Sequence, residues 1–242
     1  STSGDVQVIA GGTITTTSAT NGTAIEINTT GRALLEAGDS IGTDTNRIEM
    51  TNVAKVAART LGDIATDSMY LRKVGSTDDL IVGTVDDVNN SAAAKALDNS
   101  VNRNGSANLA GLTTSNNGNI SLTTDGGNLT IAQAVTAHGT GYIDIRTANT
   151  GNGGNIVIDN DSATNVDKTT GELATASAGN DAGILTSTSG DVQVIAGGTI
   201  TTTSVNSSLP TNNPEIATTG NLLITAGGNV GADGQRIETS GV

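Results

Sequence analysis

Residues 1–18, STSGDVQVIAGGTITTTS, recur letter for letter as residues 187–204. Such an identity does not arise by chance. It makes residues 1–186 one module and residues 187–242 the start of the next, stacked continuously on the first. The likeness continues further on. Residues 37–49 read AGDSIGTDTNRIE and residues 226–238 read AGGNVGADGQRIE, now at a slightly longer spacing. Near-copies in series are a way of building length, in which each unit buries its apolar face only against its neighbours.

The repeated unit carries its own local structure. Val6, Val8 and Ile14 with Thr15–Thr17 are β-formers, set between the turns Ser3-Gly4-Asp5 and Gly11-Gly12. This predicts a short strand, a tight turn and a second short strand. The same pattern, glycine then Asn or Asp then apolar-x-apolar, returns at Gly118–Leu122, Gly127–Ile131, Gly154–Ile158 and Gly220–Ile224. Gly141–Ile145 follows it with Tyr142 in the second place. Apolar residues two apart share one face of a strand, and the Ser, Thr and Asp between them face the other way.

Along the chain, strands are expected at Val6–Ala10, Thr13–Thr17, Ala24–Thr29, Leu34–Glu36, Arg47–Thr51, Ile64–Val74 and Leu80–Val85. Val53–Leu61 fits a helix face or a strand, and its flanks favour strand or irregular coil. Residues 86–108 break the rhythm: Asp87 to Ser91 offers an N-cap before AAAKAL. That segment reads as a projecting insertion, either a short helix or a polar loop. Residues 160–181 and 205–214 read as further loops or inserts.

Composition decides between order and disorder. The chain has no Phe and no Trp, two Tyr, and an apolar share of 35%. A core must therefore be built from Val, Ile, Leu and Ala, which suit a narrow interior of stacked strands. Low hydrophobicity also marks disordered chains, but here the apolar residues are patterned into strands. The fold class expected is all-β: a β-solenoid with short loop or helix insertions. With ~20–25 residues per coil and ~4.8 Å per coil, the segment would make roughly ten coils and a rod of ~50 Å. A β-sandwich with two domains is the alternative.

The strands of the form G-[DN]-apolar-x-apolar, the AGG and AGD turns, the TITTTS block and the Gly118–Ile131 stretch resemble filamentous-haemagglutinin-type surface proteins. These are large secreted adhesins of Gram-negative bacteria. The resemblance covers nearly the whole chain. It implies a right-handed parallel β-helix, export through the outer membrane, and adhesion or fibre formation. The expected role is a structural or adhesive, non-catalytic segment of a very large extracellular protein at the cell surface. Its partners would be neighbouring modules of the same chain, further copies in a fibre, and host-cell or cell-surface glycans. A carbohydrate-binding or carbohydrate-cleaving β-helix and a self-assembling fibre subunit are the other readings. The chain starts mid-pattern without a Met and is read as a segment of something longer.

Charge and residue types restrict the chemistry. A net charge of −13 repels phosphate backbones, and Lys55, Lys73, Lys95 and Lys168 form no basic patch. No cysteine is present, which excludes disulfides and thiolate metal sites. No apolar run approaches the ~20 residues of a membrane span. His138, the sole histidine, lies between two strands and reads as a turn residue. Without a second His or a Cys, no zinc site or His-assisted nucleophile can be assembled. The densest carboxylates, Asp78-Asp79, Asp86-Asp87 and Asp159-Asn160-Asp161, read as solvated loops.

Calcium is the one ion whose ligand chemistry is represented, by Asp39, Asp44 and Asp233 in the repeated AG-x-x-apolar-G turn. Neither the EF-hand nor the nonapeptide calcium spacing is present. Thr15–Thr17 with Thr201–Thr203 could line a flat ladder, although Thr simply favours strand surfaces. Asn21-Gly22-Thr23 and Asn128-Leu129-Thr130 are sequons of the kind an Asn- and Thr-rich chain produces by chance. A sugar-handling groove would need clustered carboxylates beside a basic residue, such as Arg146 near Asp144. The sequence thus assigns no catalytic, cofactor-binding or metal residue.

Overall fold

In the computed structural model, residues 4–18, 24–62, 67–75, 77–86, 108–148, 154–159, 185–203 and 214–242 are described. Among them all regular structure is β-strand, in two large parallel sheets and one small antiparallel pair. The seven-stranded sheet runs β2 (Ile27–Asn28), β4 (Ile48–Thr51), β6 (Met69–Lys73), β11 (Ile120–Thr124), β14 (Ile143–Thr147), β17 (Val192–Ala196) and β20 (Leu222–Ala226). Its spatial order is its sequence order.

The twelve-stranded sheet supplies the strands that lie between these in sequence. One line of pairing runs β1 (Val6–Ala10), β3 (Arg32–Ala37), β5 (Lys55–Thr60), β7 (Leu80–Val82), β12 (Leu129–Ile131), β15 (Ile156–Ile158) and β18 (Ile200–Thr202). A second leaves β5 for β10 (Leu112–Thr114), β13 (Val135–Ala137), β16 (Leu185–Ser187), β19 (Ile216–Ala217) and β21 (Thr239–Ser240). β5 bonds β7 through Lys55 and Val56, and β10 through Ala58 and Arg59. One long strand thus meets two short ones end to end. The chain leaves one sheet, runs through the other, and returns to lie beside its previous pass.

The register of that return is regular. Ile27↔Met50, Ile48↔Leu71, Ile120↔Ile143, Arg32↔Lys55, Leu112↔Val135 and Ile216↔Thr239 all share one sequence offset. The same offset, 23, separates the side-chain partners Arg59 and Glu36, and Ser121 and Asp144. Larger offsets, such as Met69↔Ile120 and Ile143↔Val192, span stretches outside the described residues. The expected count, roughly ten coils from an unbroken ~20–25-residue repeat, compares with seven strands in the sheet of β2 to β20 among the described residues.

In-register parallel pairing places like on like. Ile120, Ile143, Val192 and Leu222 form one inward row, and Leu122, Ile145, Val194 and Ile224 the next. Leu80, Leu129, Ile156 and Ile200 form a row on the opposite sheet. Together they make one continuous core of aliphatic side chains. Burial of such side chains contributes roughly 1.5–3 kcal/mol each, which is how a chain without Phe or Trp holds together.

The Gly-Asx motif explains why the layers stack so closely. A Cβ on Gly141 would lie 2.1 Å from the carbonyl oxygen of Gly118, one on Gly190 2.1 Å from that of Gly141, and one on Gly220 2.6 Å from that of Gly190. Only glycine allows each corner to sit on the carbonyl below. The following Asn or Asp then ties the layers together. The Oδ1 of Asp79 accepts the Asn128 N–H at 2.7 Å, Asn128 accepts that of Asn155 at 3.1 Å, and Asn155 accepts that of Thr199 at 2.8 Å. Buried hydroxyls satisfy the remaining corner carbonyls: Thr114 donates to Gly118, Thr147 to Gly154, and Ser187 to Gly141, each at 2.7 Å.

The two identical peptides occupy different sheets. β1, VQVIA, lies in the twelve-stranded sheet, whereas β17, also VQVIA, lies in the seven-stranded sheet. Their local surroundings nevertheless agree. Ala10 lies against Ala37 as Ala196 lies against Ala226, and Ile14 bridges Ile41 as Ile200 bridges Val230. β17 of the second copy pairs with β14, and β18 with β15.

Several expectations change in detail. Val53–Leu61 is strand, as β5. Thr13–Thr17 is not a full strand: only Ile14 bridges to Ile41, and the chain turns away after it. Residues 87–107, 160–184 and 204–213, which hold the helix candidate and two inserts, lie outside the described residues. The flanks of the first insert, β8 (Thr84–Asp86) and β9 (Asn108–Ala110), pair antiparallel. Their Val85 and Leu109 cover Leu34 and Ala57 on the outer side of β3 and β5. Nearby, Arg59 and Glu36 form a 2.8 Å ion pair with 6% and 7% of their side chains exposed. The Lys73 ammonium is buried between the carbonyls of Asp78 and Asp79, at 2.7 and 2.6 Å, and burial lowers its pKa.

Replacing Gly141 by Ala forces a methyl into the Gly118 carbonyl and is expected to cost about 3 kcal/mol, the upper end for overpacking. Asn155→Ala, which removes an acceptor but no volume constraint, is expected to cost about 1–2 kcal/mol. Urea midpoints of the two variants test the order. An Asn155 variant less stable than the Gly141 variant would place the constraint in the amide ladder instead.

Candidate functional site

Side chains alternate sides along a strand, so the residues between the inward rows of the seven-stranded sheet form its outer face. In register across β6, β11, β14 and β17, these are Tyr70, Ser121, Asp144 and Gln193, then Arg72, Thr123, Arg146 and Ile195. Tyr142 precedes β14 in the place where the neighbouring layers carry Asn119 and Asp191. The one strand motif with Tyr in the Asx place therefore sets a phenol on this face. The loop between Ile41 and Ile48 adds Asp44 and Arg47.

Between this loop and the strands lies an open groove of about 740 Å³, lined by Asp44, Arg47, Arg72, Thr123, Asp125, Tyr142, Asp144, Arg146, Asp191 and Gln193. Arg47 reaches down from the loop. It donates to Asp44 at 2.8 Å, to Ser121 at 2.9 Å and to Thr123 at 3.1 Å. Its guanidinium carbon lies 5.9 Å from the Tyr70 ring centroid, within cation–π range. Arg72 grips Asp125 with two bonds of 2.9 Å and donates a third, also 2.9 Å, to the buried Glu49. Arg146 donates to Asp144 at 2.6 Å and to Gln193 at 3.3 Å.

Each guanidinium in the groove is thus matched by a carboxylate. Three Arg against Asp44, Asp125, Asp144 and Asp191 leave the lining at a net charge of −1. Bidentate pairing of the Arg72 kind fixes side chains in place as well as joining them. The floor is an ordered array of alternating donors and acceptors. The two tyrosine hydroxyls, those of Tyr70 and Tyr142, meet at 3.4 Å. Burial pushes the Tyr142 phenol well above its ordinary value, helped by the Tyr70 hydroxyl and the Asp44 and Asp144 carboxylates.

The structure brings together Asp144 and Arg146, the pair singled out in the sequence. Tyr70, Tyr142, Arg47, Arg72, Asp125, Asp191 and Gln193 were not foreseen. Writing the chain in lines one strand offset long would have aligned Ser121 with Asp144 and Thr123 with Arg146. The calcium candidates are not gathered. Asp44 is paired with Arg47 beside Ile41, while Asp233 follows Val230, which bridges to Ile200 in the other sheet. Among the described residues no group of three or more His, Asp or Glu is placed to hold a metal ion.

The other candidates are dispersed as well. His138 follows β13, and its carbonyl accepts the Gly141 N–H at 3.2 Å. Asp78 and Asp79 serve Lys73 through their carbonyls. Asp86 pairs with Arg32 at 2.8 Å, and Asp159 accepts from Thr203 at 2.8 Å. Asp87, Asn160 and Asp161 lie outside the described residues, as does Asn21. Thr202 is turned inward to Glu215, and among the described residues no flat ladder joins Thr201–Thr203 to Thr15–Thr17.

Compared with known proteins, the chain matches no family model, no curated protein and no solved structure. The lining of the groove, among the described residues, holds no paired nucleophile and base, and it offers many fixed hydrogen-bonding groups.

The Tyr142 phenol supplies a pH signature. Because the fold holds it protonated past the ordinary value near 10, the unfolded chain ionises first. The folded state then carries the extra proton, so stability falls as pH rises above about 10. Absorbance at 295 nm should show the tyrosine titration extending above the ordinary range. Tyr142→Phe should remove that upper portion and lessen the alkaline loss of stability. A single transition near 10 in the native protein would contradict the buried phenol.

Proposed function

We propose that the chain is a stretch of right-handed parallel β-helix. Its role is that of a structural and adhesive rod segment in a very large, repetitive extracellular protein at a cell surface. The observation that carries this reading is the offset of 23 residues shared by parallel strand pairs in both of two alternating sheets. Such an offset means that each pass of the chain adds one strand of thickness, ~4.8 Å, and nothing else. Right-handed crossing is the general rule for parallel connections. Length then follows from repetition, and the identity of residues 1–18 with 187–204 supplies the repetition.

The corners support this role. Glycine columns and Asx ladders fix the stacking direction, and the chain's net negative charge keeps long rods apart in solution. The style of the Gly-Asx strands, which resembles filamentous-haemagglutinin-type adhesins, points the same way. Neighbouring modules of the same chain are the first partners.

Small-angle scattering on this chain beside one extended by a further whole module tests the reading. Between the two copies of the identical peptide the chain lays down five to six layers, so the longest dimension should grow by ~25–30 Å. A profile of separate compact beads, or growth in girth instead of length, would overturn the rod.

A further inference from the structure

The outer groove of the seven-stranded sheet is more ordered than a rod requires. Its three guanidiniums are all engaged by carboxylates or amides of the same face, and its lining carries a slight negative charge. That combination disfavours a phosphate, a sulfate or an acidic polymer, which would have to displace Arg-carboxylate pairs. It disfavours a metal ion as well, because Asp44, Asp125 and Asp144 each face an arginine and Asp191 accepts from Asn221. What remains is a fixed floor of donors beside acceptors: the hydroxyls of Thr123 and Tyr142, the Gln193 amide, and the Asp144–Arg146 pair.

The geometry points to a binding site for a neutral oligosaccharide strand. Each sugar hydroxyl both donates and accepts, so vicinal hydroxyls match adjacent guanidinium and carboxylate edges without a net charge on the ligand. The groove volume, about 740 Å³, falls in the ~300–1,000 Å³ range of small-ligand sites. Arg146, with 44% of its side chain exposed, stands at the open side of the groove next to Gln193. The site does not depend on the rod reading, because it is contained in four adjacent strands and one loop.

The chain carries its own reporter. Tyr70 and Tyr142 are its only tyrosines and there is no Trp; Tyr142 lines the groove, and Tyr70 lies against Tyr142 and Arg47 beside it. Tyrosine emission of the full chain is followed while cellohexaose, xylohexaose, maltohexaose and mannohexaose are added in turn, with heparin and polygalacturonate as charged counterparts. At least one neutral hexasaccharide should change the emission saturably, and the two polyanions should not compete with it. Arg146→Ala and Gln193→Ala, each checked for native circular dichroism, should weaken binding at least tenfold. The inference is overturned if no neutral hexasaccharide binds at millimolar concentration, if only a polyanion binds, or if both folded variants bind as tightly as the parent. Scattering is independent of this readout, so failure of the sugar site and failure of the rod can be told apart.

Discussion

Everything in this chain rests on how closely one corner can approach the carbonyl beneath it. Parallel strands in adjacent layers lie ~4.8 Å apart only if the turns between them are equally thin. At Gly141, Gly190 and Gly220 a side chain would strike the carbonyl oxygen of the layer below. Glycine removes that obstacle and exposes backbone groups that need partners. The neighbouring Thr or Ser hydroxyl takes the carbonyl, and the Asx side chain takes the N–H of the next layer. The motif is therefore a single device: thinness from glycine, satisfaction from the hydroxyl, and register from the amide or carboxylate.

Once the corners fix the register, the core follows. In-register stacking puts Ile120 over Ile143 and Leu129 over Ile156, so the interior fills with medium aliphatic side chains. Both tyrosines lie instead at the outer face, where each keeps its hydroxyl bonded. Even the exceptions obey the corner rule. Lys73 is buried because two corner carbonyls, those of Asp78 and Asp79, accept from its ammonium.

The inward half of the fold was legible in the sequence, because it repeats. The strand Val6–Ala10 follows from alternation and glycine, and β5 from its flanks, whereas the expected strand Leu80–Val85 divides at Gly83 into β7 and β8 of different sheets. The Gly-Asx motif was visible before its bonds were known. The site was barely legible. Asp144 and Arg146 stand two apart in sequence and could be paired by inspection. Arg47 reaches Ser121 and Thr123 across two further layers, and no local pattern marks that contact. Outward positions are not constrained by stacking, so Tyr142 in an Asx place reads as a lapse in the motif until the face is assembled.

The two copies of VQVIA show what the repeat does and does not specify. One lies in the twelve-stranded sheet and the other in the seven-stranded sheet, yet each meets an Ala-Gly corner and an aliphatic bridge in the same way. A peptide that served a particular sheet could not do this. The sequence therefore encodes a layer-to-layer contact, and the choice of sheet is left to the length of chain that has gone before. The two copies thus present equivalent residues on different sheets. The groove between Asp44 and Gln193 takes Asp191 and Gln193 from the repeated peptide, but its other lining residues come from elsewhere in the chain, so the groove belongs to its place along the chain. Repetition of the corner sets the stacking, whereas what a given outer face offers depends on which strands lie beside it.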